Sequence, residues 1–191
     1  MARKDVEIEI KVRIENPKNL LSFLEKNAEF KGGERQVDEY FTPAHRNFLA
    51  VRPVNEWLRL RAEGGKCSLN YKNWHVHEDG RKYYCDEFET IVEDSGQFRN
   101  LFAALNFKSV CKVDKLRKTW HFENFEISLD TVIGLGDFVE IELKHSHKNP
   151  KKATEEMVEF LKSKGVGRMQ RNYQGYPFLL LFPEEVEFHE E

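Results

Sequence analysis

Near the N-terminus, Glu7-Ile8-Glu9-Ile10-Lys11-Val12-Arg13 alternates charged and aliphatic residues without a break. In a β-strand successive side chains point to opposite faces. Glu7, Glu9, Lys11 and Arg13 therefore share one face, and Ile8, Ile10, Val12 and Ile14 share the other. The same alternation returns in later segments with both signs of charge, so one strand's pattern becomes a property of the whole sheet.

In chain order, the first strand is expected over Val6 to Ile14. Asn16 then caps a helix that begins at Pro17 and carries Leu20, Leu21, Phe23 and Leu24 as its apolar stripe. Gly32-Gly33 reads as a turn, Gln36 to Phe41 as a strand and Thr42 to Leu49 as an irregular segment broken by Pro43. Glu56 to Ala62 and Cys67 to Asn73 read as a hairpin around Gly64-Gly65. Trp74 to Gly80 is expected as loop and Tyr83 to Val92 as strand. Ser95 caps a helix whose buried face is Phe98, Leu101, Phe102 and Leu105. Strands follow over Lys112 to Phe122, Phe125 to Val132 and Phe138 to Lys144. A helix from Asn149-Pro150 to about Lys164 turns Met157, Phe160 and Leu161 inward. A short helix is expected within Asn172 to Phe182.

The fold class is α+β, with about eight strands and three or four helices. A single domain over 1–183 is expected, with 184–191 as an acidic, frayed tail.

Thirty basic and thirty-three acidic residues leave a net charge of only −3. A nucleic-acid-binding domain would carry a basic excess. The three cysteines, Cys67, Cys85 and Cys111, form no CxxC, so a reduced cytoplasmic setting is expected. The N-terminus enters a charged strand at once and does not read as a signal peptide. No apolar run approaches membrane-spanning length.

On one strand parity stand the acids Glu7, Glu9, Glu87, Glu89, Asp130, Glu140 and Glu142 and the bases Lys11, Arg13, Arg59, Arg61, Lys72, Lys115 and Arg117. The apolar helix stripes need the aliphatic parity as a partner. The simplest arrangement packs the helices outside and turns the charged face inward, on a sheet curled into a barrel or tunnel. Such an interior cannot be a dry core, because burying unpaired ions is too costly. It calls for water, mutual pairing or a ligand carrying metal and negative charge. Arginine and lysine clamp phosphate, and clustered carboxylates hold hard cations such as Mg²⁺ through oxygen. A polyphosphate with its metal meets both needs.

Glu7-x-Glu9-x-Lys11 is similar to the ExExK signature of the CYTH superfamily, the triphosphate tunnel metalloenzymes. The resemblance extends through Asp38-Glu39-Tyr40-Phe41, Trp57-Leu58-Arg59-Leu60-Arg61, Leu69-Asn70-Tyr71-Lys72, Glu87-Phe88-Glu89, Lys115-Leu116-Arg117, Asp130 and Gly136-Asp137-Phe138-Val139-Glu140-Ile141-Glu142. It implies an eight-stranded antiparallel β-barrel, the triphosphate tunnel. Glu7, Glu9, Asp130, Glu140 and Glu142 would hold one or two divalent ions, Mg²⁺ or Mn²⁺. Lys11, Arg59, Arg61, Lys72, Lys115 and Arg117 would bind the triphosphate. Glu87 and Glu89 would orient basic heads or reach metal, or equally serve as plain ion-pair partners.

The family runs two chemistries. Hydrolases direct water at the terminal phosphorus; class IV adenylyl cyclases direct the ribose 3′-hydroxyl at the α-phosphorus. Tyr40 and Lys72 match a Tyr–Lys pair that thiamine triphosphatases use for acid–base work, in which the lysine can lower the tyrosine pKa; the equal alternative is that Lys72 only binds phosphate and Tyr40 only packs. The His-Phe pair usual upstream of ExExK in bacterial class IV cyclases is absent from Met1 to Val6. Triphosphate hydrolysis is therefore the first expectation, cyclic AMP synthesis the second and a non-catalytic polyphosphate sensor the third. The expected partner is a small triphosphate, with neither nucleic acid nor membrane, and the resemblance allows a homodimer.

Other features have plainer readings. His75 with His77 and His145 with His147 could present zinc ligands, but read better as loop or strand-end histidines. Trp57, Trp74 and Trp120 could stack a heterocycle or pack against helices. Arg168 and Arg171 could cover a tunnel mouth or stand solvated, and Lys148, Lys151 and Lys152 read as a solvated helix start.

Overall fold

The computed structural model describes residues 8–76, 82–144 and 150–191. Among them the order is β1 (Ile8–Ile14), α1 (Lys18–Asn27), β2 (Glu29–Thr42), β3 (Glu56–Glu63), β4 (Lys66–Val76), β5 (Lys82–Ile91), α2 (Ser95–Ala104), β6 (Lys108–Phe122), β7 (Phe125–Val132), β8 (Gly136–Leu143), α3 (Pro150–Ser163), β9 (Met169–Arg171), α4 (Tyr176–Leu181) and β10 (His189–Glu190). Short 3-10 turns lie at Phe48–Ala50 and Pro183–Glu185. No helix among the described residues is long and apolar enough to cross a membrane.

The chain clusters into two units. The first holds residues 1–34, 115–175 and 182–191; the second holds 35–114 and 176–181. Strands β2 and β6 each contribute one part to each unit. In the first unit the strand order is β10-β9-β1-β8-β7-β6-β2; in the second it is β6-β2-β3-β4-β5. The ladders with resolved register are antiparallel. The antiparallel, sheet-rich α+β architecture is the expected one; it differs in that neither order closes on itself among the described residues and in that β9 and β10 are added.

The first unit packs α1 and α3 onto the aliphatic parity of its sheet. Ile8, Ile10, Val12 and Ile14 of β1 are buried with Ile127, Val139 and Ile141 beneath Leu20, Leu24, Met157 and Leu161. Each such side chain contributes roughly 1.5–3 kcal/mol by leaving water. Trp120 joins this core, which settles its role as packing. The second unit gathers Phe41, Phe48, Leu58, Leu60, Cys67 and Phe102 into its own core.

Several local expectations are corrected. Gly32-Gly33 is not a turn but lies inside β2. Gly32 takes φ +156°, and a Cβ on Gly33 would come within 3.2 Å of the Lys118 side chain, so the pair lets one strand pass close to another. Trp74, His75 and Val76 continue β4 rather than forming a loop. Asp94, not Ser95, caps α2, its carboxylate accepting from the Gln97 N–H at 2.9 Å. Pro17 stands one position before α1, and the Asn16 side chain accepts from the Lys18 N–H. On α2 only Phe102 is fully buried; Leu101 and Leu105 are more than half exposed. The acidic tail is not frayed throughout: His189–Glu190 pairs with β9, and Glu190 and Glu191 meet Arg168 and Arg171, which explains those arginines.

Candidate functional site

The charged parity predicted from the sequence is real, and within each unit it is organised as ion pairs. In the first unit, register sets the rows. Lys11 stands opposite Glu140, and Glu140 opposite Ser128. Arg117 stands opposite Asp130. Lys11 Nζ approaches Glu140 at 2.6 Å. Arg117 donates to both Asp130 oxygens at 2.7 Å and to Glu140 at 3.2 Å. Lys115 Nζ donates to Asp130 at 3.0 Å. Asp130 is 1% exposed and Lys115 3%, while Leu116 between the two bases is half exposed. A strand that buries lysine and shows leucine to solvent has its charged side turned inward.

The charge states follow. Burial pushes the Glu140 carboxyl up, but Lys11 and Arg117 outweigh it and hold it far below the usual carboxylate range. Burial would also push the Lys11 ammonium down, yet Glu140 and Glu9 hold it above its ordinary value. Both partners are therefore ionised.

A second row of the first unit is acidic. Glu9 faces Glu142, Glu142 faces Glu126, and Glu126 faces His121. Like charges placed opposite one another on a sheet destabilise it unless a cation intervenes. Lys144 does so, 3.0 Å from Glu126 and 3.7 Å from Glu142. Glu126, Lys144 and His121 were not singled out as site residues in the sequence; only cross-strand register, not spacing along the chain, reveals them. The hard carboxylate oxygens here fit a divalent cation in donor chemistry. Among the described residues no three ligating side chains converge on one point. Glu7 lies outside the described residues, as do His77, His145, His147, Lys148 and Asn149.

In the second unit the bases are held more loosely. Arg61 grips Asp38 with two bonds of 2.6 and 2.7 Å. Arg59 reaches the same carboxylate only at 4.0 Å, and its buried Nε has no hydrogen-bond partner. Lys72 faces Glu87 at 3.1 Å. Tyr40 is buried against the Trp57 ring, edge to face at 5.5 Å. Burial and then Asp38 push the Tyr40 hydroxyl well above its ordinary pKa, and Arg59 and Arg61 offset this only in part. The tyrosine is thus held protonated, whereas the sequence reading expects a lysine to lower its pKa. His75 pairs with Asp86 at 2.7 Å, its place being on a strand.

Comparison with known proteins bears on the family and the fold. A family model described as the CYTH domain covers residues 5–173. A protein of Methanocaldococcus jannaschii, named as a candidate adenylate cyclase, is 34% identical over 165 residues, spanning 85% of this chain and 91% of its own. The solved PH1819 protein of Pyrococcus horikoshii superposes with a TM-score of 0.69 at 29% identity, covering 92% of this chain and 98% of its own. A candidate adenylyl cyclase from Hippeastrum, described as having a dominant triphosphatase activity, shares the fold at 22% identity and TM-score 0.65, with 95% and 100% covered.

Proposed function

The chain belongs to the CYTH domain family, and from that footing we propose that it is a divalent-metal-dependent enzyme that hydrolyses the terminal phosphate of a triphosphate. The carrying observation is the inward set of ionised pairs in the first unit, Lys11 with Glu140 and Lys115 and Arg117 with Asp130. A ligand of mixed charge, carrying both phosphate and cation, could exchange with both members of such pairs.

Glu9, Asp130, Glu140 and Glu142, with Glu7, would hold Mg²⁺ or Mn²⁺. The ion supplies charge neutralisation on the phosphates and a template for their orientation. Lys11, Lys115 and Arg117 in the first unit, and Arg59, Arg61 and Lys72 in the second, bind phosphate oxygens and stabilise the charge that develops on the leaving group. Arg59 is the readiest of them, because its Nε is desolvated without a partner. Tyr40, kept protonated, offers an O–H rather than a phenolate.

Cyclic AMP synthesis is the second reading, favoured by the 34% identical relative's name. Product analysis separates the two. The purified chain is incubated with Mg²⁺ or Mn²⁺ and, separately, ATP, thiamine triphosphate and inorganic tripolyphosphate. Orthophosphate release is expected. Cyclic AMP with pyrophosphate would establish the cyclase, and metal-dependent binding without product would establish a sensor. Glu142→Gln, nearly isosteric, should cut metal-dependent turnover by about a hundredfold or more with an unchanged circular dichroism spectrum.

A further inference from the structure

Within the second unit, a neutral side chain lies behind the Lys72 ion pair. Asn70 of β4 is 2% exposed, and a buried amide must hydrogen-bond to be tolerated. Its Nδ2 donates to Glu87 Oε1 at 2.7 Å. The other oxygen of the same carboxylate, Oε2, faces Lys72 Nζ at 3.1 Å. Lys72 and Glu87 are directly opposite in the β4–β5 ladder, and Asn70 lies one same-face step along β4. The step repeats next along the ladder, where Ser68 Oγ donates to Glu89 Oε1 at 3.0 Å. Small neutral donors on β4 thus fix both glutamates of β5.

We propose that Asn70 is a positioning residue for Lys72, acting through Glu87. A carboxylate on an edge strand, half exposed, would rotate among several conformers if it met only a flexible ammonium. Tying one oxygen to a buried amide fixes the plane of the carboxylate. The second oxygen then holds Lys72 in a single direction, ready for phosphate. A second lysine or arginine at position 70 would compete with Lys72 for Glu87; a neutral donor does not. This rests on the proposed role of Lys72 in binding triphosphate.

The test has a part that needs no substrate. Lysine acylation in the free chain, read residue by residue by mass spectrometry, reports how firmly Lys72 is held. Asn70→Leu, which keeps bulk but removes the donor, should raise labelling of Lys72 several-fold and leave Lys115 unchanged. Glu87→Gln should do the same. Asn70→Ser should restore most of the protection, since Ser68 shows that a serine on β4 reaches a β5 glutamate. In calorimetry with inorganic tripolyphosphate and Mg²⁺, Asn70→Leu should weaken binding about tenfold. It should weaken it no further in a Lys72→Met background. Unchanged Lys72 labelling in both Asn70→Leu and Glu87→Gln, or an equal loss of binding in the Lys72→Met background, would overturn the proposal and leave Asn70 a packing residue. A wild-type chain that does not bind tripolyphosphate would overturn the triphosphate reading instead, and the labelling would still decide the role of Asn70.

Discussion

The charged faces of the two units differ in how their ions are matched. In the first unit Lys11, Lys115 and Arg117 each meet a carboxylate within 3.2 Å, and Asp130 serves two bases at once. In the second unit Asp38 satisfies Arg61 but not Arg59, and Lys72 meets a carboxylate that is itself half exposed. One face is a closed set of pairs and the other has unused capacity. The same residue types are therefore fully paired in one place and only partly paired in the other.

The largest expected effect tests the closed face. Asp130→Asn strands Lys115 in a buried position and should cost about 3–5 kcal/mol, read from urea unfolding. Asp38→Asn, whose arginines retain some access to water, should cost less than half as much. Equal costs would erase the distinction. Next comes affinity. Arg59→Ala should weaken triphosphate binding by about tenfold to a hundredfold while stability changes little. Arg61→Ala should do the reverse, losing stability through Asp38 more than affinity. The smallest effect is in pH dependence. Burial pushes the Glu140 and Glu87 carboxyls up, but Lys11 and Arg117 on Glu140, and Asn70 and Lys72 on Glu87, hold both below the ordinary value. A depressed carboxyl stabilises the fold above the unfolded pKa of about 4.3 and loses that contribution as pH falls towards the folded value. The stability gap between wild type and Glu140→Gln should therefore be full at neutral pH and close progressively below about pH 4. For Glu87→Gln the gap should be smaller throughout, because that pair is screened by solvent. Denaturant midpoints across the acid range measure both.

How much was legible depended on which physical signal a residue carries. Period-two alternation placed Ile10 and Val12 in the core and Lys11 on the opposite face, and the burial of β1 agrees. It also put Lys115 on the charged side of β6, where the structure buries it. Glycine misled, because a Gly-Gly pair signals either a turn or a close strand approach, and only the neighbour strand decides which. On α2 the 3.6-residue period assigned Leu101 and Leu105 to the core equally with Phe102, yet the unit's core is filled by Phe98, Phe102 and Phe107. For the candidate site, residue type and parity identified the bases and acids. They could not show that Arg61 grips Asp38, that Glu126 and Lys144 complete the acidic row, or that Asn70 stands behind Glu87. Those are relations across strands, set by register.

The doubly engaged Asp130 has a consequence for how any polyanion enters. A cation already satisfied at contact distance gains nothing from a newcomer unless its old partner is compensated at the same time. On the proposed reading, binding would be a double displacement, in which phosphate takes the bases and the released carboxylates would hold the cation that comes with it. Little net charge is neutralised in such an exchange, so affinity should depend only weakly on monovalent salt, and a polyphosphate stripped of its cation should compete poorly with the intact salt.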